Sequence, residues 1–94
     1  TIAAVSGPVD YITDGETTIA VGGGDVRLTQ VTGAGCSLGA LMSALLAGAD
    51  NKLQAVVAAH AIYARAAERA APARGTGSFA VAFLDELSLI DPAE

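Results

Sequence analysis

Thr32-Gly33-Ala34-Gly35-Cys36 brings a hydroxyl, two glycines and a thiol to the junction between an extended stretch and the most apolar helical segment of the chain. The first N–H groups of a helix have no partner inside it, and the aligned peptide dipoles add partial positive charge, so an anion is favoured there. Glycine at positions 33 and 35 removes Cβ atoms that would hold an anion away from the backbone. The chemistry that suits this arrangement is phosphoryl binding, with Thr32, Ala34 and Gly35 as candidate phosphate contacts. No Gly-Lys-Ser/Thr follows, so the segment is not a Walker loop, and Leu38 leaves the Gly-x-Gly-x-x-Gly fingerprint incomplete. Taken alone, a Gly-x-Gly before a helix reads equally well as a tight strand-to-helix turn.

Cys36 is the single cysteine, and an isolated cysteine among alanines is ordinarily a small apolar residue. Helix starts favour the thiolate form, whereas a phosphate alongside disfavours a second anion. At a phosphoryl site these two effects on Cys36 oppose each other. His60 falls on an apolar stripe with Val56 and Val57 and reads as a hydrogen-bonded core histidine, which argues against a cysteine hydrolase. No second histidine or close carboxylate pair offers a metal site. Asp14 and Asp25 each adjoin glycine and read as turn residues. Arg74 and Gly75 to Ser78 read as a polar loop that caps a helix, and Ser6 before Gly7-Pro8 ends a strand.

The elements that must carry these residues follow from periodicity. Ile2 to Val5 is a short apolar run that suits a buried strand, and Val9 to Thr13 and Glu16 to Val21 flank Asp14-Gly15, a two-residue hairpin signal. Gly22-Gly23-Gly24-Asp25 turns the chain into an extended Val26 to Gln30. A first helix is expected from Gly35 or Cys36 to Gly48, with Leu38, Leu41, Met42, Leu45 and Leu46 on one face and small residues on the other, buried on both sides. A second runs from Asn51 or Lys52 to Ala71, before Pro72, with Arg65, Glu68 and Arg69 on a solvated face. A third follows Ser78 as cap, with Phe79, Phe83, Leu87 and Ile90 inward.

Of the 94 residues, 52% are hydrophobic and only 16% charged. Small domains bury a modest share of their surface, so this apolar excess is expected to be covered by further chain or further subunits. Thr1-Ile2-Ala3-Ala4-Val5 reads as the middle of a strand, which points to part of a larger domain. Five basic residues against ten acidic ones, a net charge of −5, provide no stripe to neutralise phosphates and exclude nucleic acid as partner. Ser43, Gly48 and Asp50 interrupt the longest apolar stretch before the roughly 20 residues a membrane span needs. One cysteine excludes an internal disulfide and fits a cytoplasmic protein.

Val31 to Cys36, followed by a helix of small residues and leucines, resembles the anion-hole motif of ribokinase-like kinases, which usually carry Gly-Ala-Gly-Asp. Cys36 in place of that Asp is similar to the hydroxyethylthiazole kinase family in particular. Upstream, Ser6-Gly7-Pro8-Val9-Asp10-Tyr11-Ile12-Thr13-Asp14-Gly15 resembles the family's Ser/Thr-Gly-x-x-Asp-x-x-Thr-Asp-Gly segment, and Gly75-Thr76-Gly77-Ser78-Phe79 extends the likeness downstream. The resemblance implies an α/β, ribokinase-like fold (a Rossmann-like α/β/α sandwich), with residues 1–94 as the carboxy-terminal part of a single kinase domain: a strand, an antiparallel meander and three helices. It implies transfer of the ATP γ-phosphate to the primary alcohol of 4-methyl-5-(2-hydroxyethyl)thiazole, in thiamine biosynthesis and salvage. Ser6 then contacts ATP, Gly33 lies against the thiazole alcohol, and Cys36 occupies the base position. ATP and Mg2+ are implied, with the magnesium ligands and most of the thiazole pocket on the remainder of the kinase chain, so the 94 residues alone are expected to be inactive. A homotrimer with active sites at subunit interfaces is implied as well. The rival readings are another ribokinase-like kinase, for a pyrimidine alcohol or a sugar, and a non-catalytic oligomerisation segment whose glycine turn binds nothing.

Overall fold

The computed structural model describes residues 2–30 and 33–90. Three strands, β1 (Ala3–Val5), β2 (Asp10–Thr13) and β3 (Thr18–Val21), form an antiparallel sheet in chain order. Ile12 pairs with Ala4 on one side and Ile19 on the other, so these three side chains share a face. Ile12, on the central strand, is fully buried, whereas Tyr11 on the opposite face is 52% exposed. Asp10 lies two residues before Ile12 and therefore shares the covered face.

Three helices follow: α1 (Ala34–Leu46), α2 (Lys52–Ala70) and α3 (Thr76–Leu89). α2 starts where the Asn51 side chain accepts the Gln54 N–H at 3.0 Å, satisfying one of the donors left over at a helix start. It is the hub of the structure, packed by α1, α3 and the sheet. Its small residues Ala59, Ala66, Ala67 and Ala70 are buried and let neighbouring elements come close. Phe79 and Phe83 of α3, 6.1 Å apart with nearly parallel rings, fill the space beside them, and Phe83 meets the Tyr63 ring edge-on at 4.8 Å. Truncating such a buried aromatic typically costs about 3–5 kcal/mol, so this cluster contributes heavily to holding α3 on α2.

The sequence expectations are corrected at five places. Val26–Gln30 is a 3-10 helix, not a strand. The Asp25 carboxylate accepts the Arg27 N–H at 2.8 Å and the Asp25 carbonyl accepts the Leu28 N–H at 3.1 Å, which starts a helical turn instead of a ladder. The β2–β3 connection is four residues long, because pairing resumes at Thr18 and the Asp14 carboxylate takes up the N–H groups of Glu16 and Thr17. Among the described residues β1 is paired by β2 alone, at the edge of the sheet, and is exposed rather than buried. On α1 the leucine stripe and Gly39 are partly covered, while Ser37, Ala40, Ser43 and Ala44, with the cap residue Ala47, are open. Finally, Ser78 sits inside the first turn of α3, whose N-cap is Gly75. The expected stripe of that helix holds, with Phe79 and Phe83 buried.

Candidate functional site

Beside the sheet lies a cavity of about 570 Å3, walled by the Ser6–Pro8 turn, the Gly23–Asp25 loop, the 3-10 helix, the first turns of α1 and the middle of α2. Ser6 and Gly35, far apart in sequence, line the same space. The rest of its wall is largely apolar, including Val21, Leu28 and Leu38.

Gly33 initiates α1 with φ 85°, a left-handed conformation that glycine adopts freely and other residues adopt at a cost. A Cβ built on Gly33 or Gly35 meets nothing within 4 Å, so both positions face open space. The first rung of the helix runs from the Ser37 N–H to the Gly33 carbonyl at 2.9 Å. The N–H groups of Ala34, Gly35 and Cys36 thus precede the ladder, and Gly33 has no side chain with which to cap them. Cys36 is exposed at this helix start but is not part of the cavity wall, and neither is Gly33. Val31 and Thr32 lie outside the described residues.

Long-range contacts hold the walls. Glu68 of α2 accepts the Gly24 N–H at 3.1 Å and fixes the glycine loop. Arg27 pairs with Asp25 at 3.2 Å, donates to the carbonyls of Ala73 (2.7 Å) and Ala71, and lies 4.7 Å over the Phe79 ring. This latch ties the 3-10 helix to the α2–α3 corner, where carbonyls at a helix end lack intrahelical donors. The Arg27 guanidinium and then its backbone N–H hold the Asp25 carboxyl below the usual carboxylate value. Backbone donors from Thr17 and Glu16 do the same for Asp14, so both aspartates serve turns as the sequence suggests. Burial pushes the Tyr63 phenol up, opposed by a hydrogen bond it shares with Ser37.

His60 is buried and hydrogen-bonded as expected, with Nδ1 2.8 Å from Asp10 Oδ2. That partner was missed from the sequence, as was the Arg27 latch, because each joins segments more than forty residues apart. The period-two placement of Asp10 beside Ile12 was the one available signal. Among the described residues no group of three or more His, Cys, Asp or Glu side chains is placed to hold a metal ion, and no helix is long and apolar enough to cross a membrane.

The hydroxyethylthiazole kinase family model matches residues 1–93. A hydroxyethylthiazole kinase of Burkholderia pseudomallei strain 668 is 71% identical over 93 residues, covering 99% of this chain and 34% of its own. One from Burkholderia thailandensis is 70% identical over 93 residues, again covering 99% of this chain and 36% of its own. The solved structure of hydroxyethylthiazole kinase protein from Pyrococcus horikoshii OT3 superposes with a TM-score of 0.91 at 41% identity, over 97% of this chain and 36% of that one. The chain thus spans about a third of the length of the relatives it matches.

Proposed function

The chain belongs to the hydroxyethylthiazole kinase family and has the corresponding part of its ribokinase-like α/β fold, and from that premise we propose that it is the carboxy-terminal part of a single kinase domain. That domain transfers the γ-phosphate of ATP to the primary alcohol of 4-methyl-5-(2-hydroxyethyl)thiazole. The supporting observation is that Ser6 and Gly35 wall one cavity beside a helix start whose first three N–H groups precede the ladder.

In this reading the nucleotide occupies the cavity, Ser6 contacts it, and its terminal phosphate meets the α1 main chain at Ala34 and Gly35; Thr32, outside the described residues, is assigned as a further phosphate contact from the motif alone. The thiazole alcohol lies against Gly33. Charge at a helix start contributes typically about 0.3–1 kcal/mol, whereas removal of one preorganised donor from an oxyanion site costs roughly 2.7–4 kcal/mol. The aimed N–H groups therefore outweigh the dipole, and catalysis rests mainly on their fixed geometry. Phosphoryl transfer through a loose transition state asks little of a base early on, so the Cys36 thiol serves chiefly to orient the attacking hydroxyl.

Magnesium normally accompanies ATP in such transfers. Among the described residues no group of three or more potential ligands is placed to hold it, and no step here passes through a metal held by them. Its protein ligands are assigned to the rest of the kinase chain. The open small-residue face of α1 and the exposed Val81, Leu84 and Leu89 of α3 suit burial against further chain or subunits, in keeping with a cytoplasmic homotrimer serving thiamine biosynthesis and salvage.

The test is steady-state phosphorylation by the full-length protein with ATP, comparing the thiazole alcohol with a pyrimidine alcohol. A higher kcat/KM for the thiazole alcohol is expected. Preference for the pyrimidine would overturn the substrate assignment, and absence of ATP turnover with either alcohol would overturn the kinase.

A further inference from the structure

Ser6, Gly7, Pro8 and Val9 are all exposed, so no packed side chain of this turn anchors it. What fixes it is Asp10, whose Oδ1 accepts the Gly7 N–H at 3.1 Å. The second oxygen of that carboxylate, Oδ2, is engaged by His60 Nδ1 at 2.8 Å. A carboxylate only accepts hydrogen bonds, so the imidazole carries its proton on Nδ1 and donates it to Asp10. His60 is 1% exposed, and its Nε2 is buried with no partner among the described residues. Packing of the sheet on α2 thus sets the direction in which the ring donates.

The same face of α2 serves the opposite wall. Tyr63, one helical turn beyond His60, shares a hydrogen bond with Ser37 in the first turns of α1. Both His60 and Tyr63 line the cavity. One helix therefore meets the Asp10 carboxylate on one side and packs against α1 on the other.

We propose that His60 and Asp10 are positioning residues for nucleotide binding: the buried imidazole orients the Asp10 carboxylate, which in turn holds the Ser6–Gly7 backbone at the cavity edge. The inference rests on ATP occupying this cavity. It makes the pair specific to the nucleotide, because Asp10 and His60 wall the cavity whereas Gly33, where the alcohol is assigned, does not. Loss of a hydrogen bond to a charged group corresponds to about tenfold or more in an equilibrium constant, which sets the expected size of the effect.

Steady-state kinetics of the full-length protein, with ATP varied at saturating alcohol and the reverse, test the pair. His60→Leu and Asp10→Asn are each expected to raise the KM for ATP about tenfold while the KM for the alcohol stays within about twofold. His60→Asn is expected to restore the KM for ATP to within about threefold of wild type, because its side-chain amide donates to Asp10 from the place of Nδ1. Asp10→Asn changes one atom and nearly keeps shape, so it carries the test if the leucine variant does not fold by circular dichroism. An unchanged KM for ATP in folded Asp10→Asn, or equal rises in both KM values, would sink the positioning role. Wild-type protein that does not turn over ATP would instead sink the kinase assignment, and this proposal with it.

Discussion

Gly35→Ala separates the stability of the α1 start from its use as a phosphoryl site, because the two are expected to move in opposite directions. Gly35 is the second residue of α1, its φ is not positive, and a Cβ placed there meets nothing within 4 Å. Alanine in a compatible helical position stabilises by about 0.5–1 kcal/mol, mainly by narrowing the unfolded ensemble. The new methyl, however, projects into the open space where the cavity wall meets the helix start. A phosphoryl oxygen seated on the Gly35 N–H would be displaced, and loss of one such donor corresponds to roughly 10²–10³ in kcat, or about 2.7–4 kcal/mol. Urea unfolding of the full-length variant is thus expected to show a higher midpoint, while steady-state phosphorylation falls about a hundredfold or more. Gly33→Ala serves as contrast: φ there is 85°, so alanine costs about 1–2 kcal/mol of backbone strain although no atom obstructs it. A Gly35→Ala protein that is more stable and phosphorylates as fast as wild type would refute the placement of phosphate on this backbone.

Other outcomes follow from the same geometry. Cys36→Asp in the full-length protein is expected to retain phosphorylation, and Cys36→Ala to lose less than about a hundredfold in kcat, below the usual range for removal of a general base; a larger loss with ATP binding intact identifies the thiol as the base. Arg27→Met is expected to cost about 1.5–3 kcal/mol in chemical unfolding, since it frees the carbonyls of Ala71 and Ala73 and the Asp25 carboxylate together. Arg27→Lys should recover little of this, because an ammonium neither forks to two carbonyls nor stacks as a guanidinium does on Phe79. Asp25 titrates below its ordinary 3.8, so its stabilising contribution is present above that value and is lost as pH falls through the lower folded value. Acid unfolding curves are therefore expected to decline below about pH 4, and Asp25→Asn to flatten that decline.

The helices were legible because their signals are local. Leucines at spacings of three and four, with Gly48 and Pro72 as stops, place α1 and α2 within a residue or two of where they lie. A tight glycine turn before α1 was legible too; its left-handed form, with φ 85° at Gly33, came from the structure. The order of motifs around Ser6, Cys36 and Gly75 was enough to indicate the family that the comparisons identify. The conformation of Val26–Gln30 was not legible. β-branched residues there favour a strand, but Asp25 captures the Arg27 N–H, and Arg27 is held by carbonyls more than forty residues later.

Local chemistry in the chain thus decides which segments are helical, where the first donors of α1 are left over and where the turns fall, because propensity, capping and φ restrictions act between near neighbours. Only tertiary structure decides that Ser6 and Gly35 share a cavity, that Asp10 meets His60, and that Arg27 locks a 3-10 turn in place of a strand. Those contacts depend on how α2 packs between the sheet and its two neighbouring helices, and burial of an alanine-rich surface specifies that approach through volume and shape rather than through residue spacing.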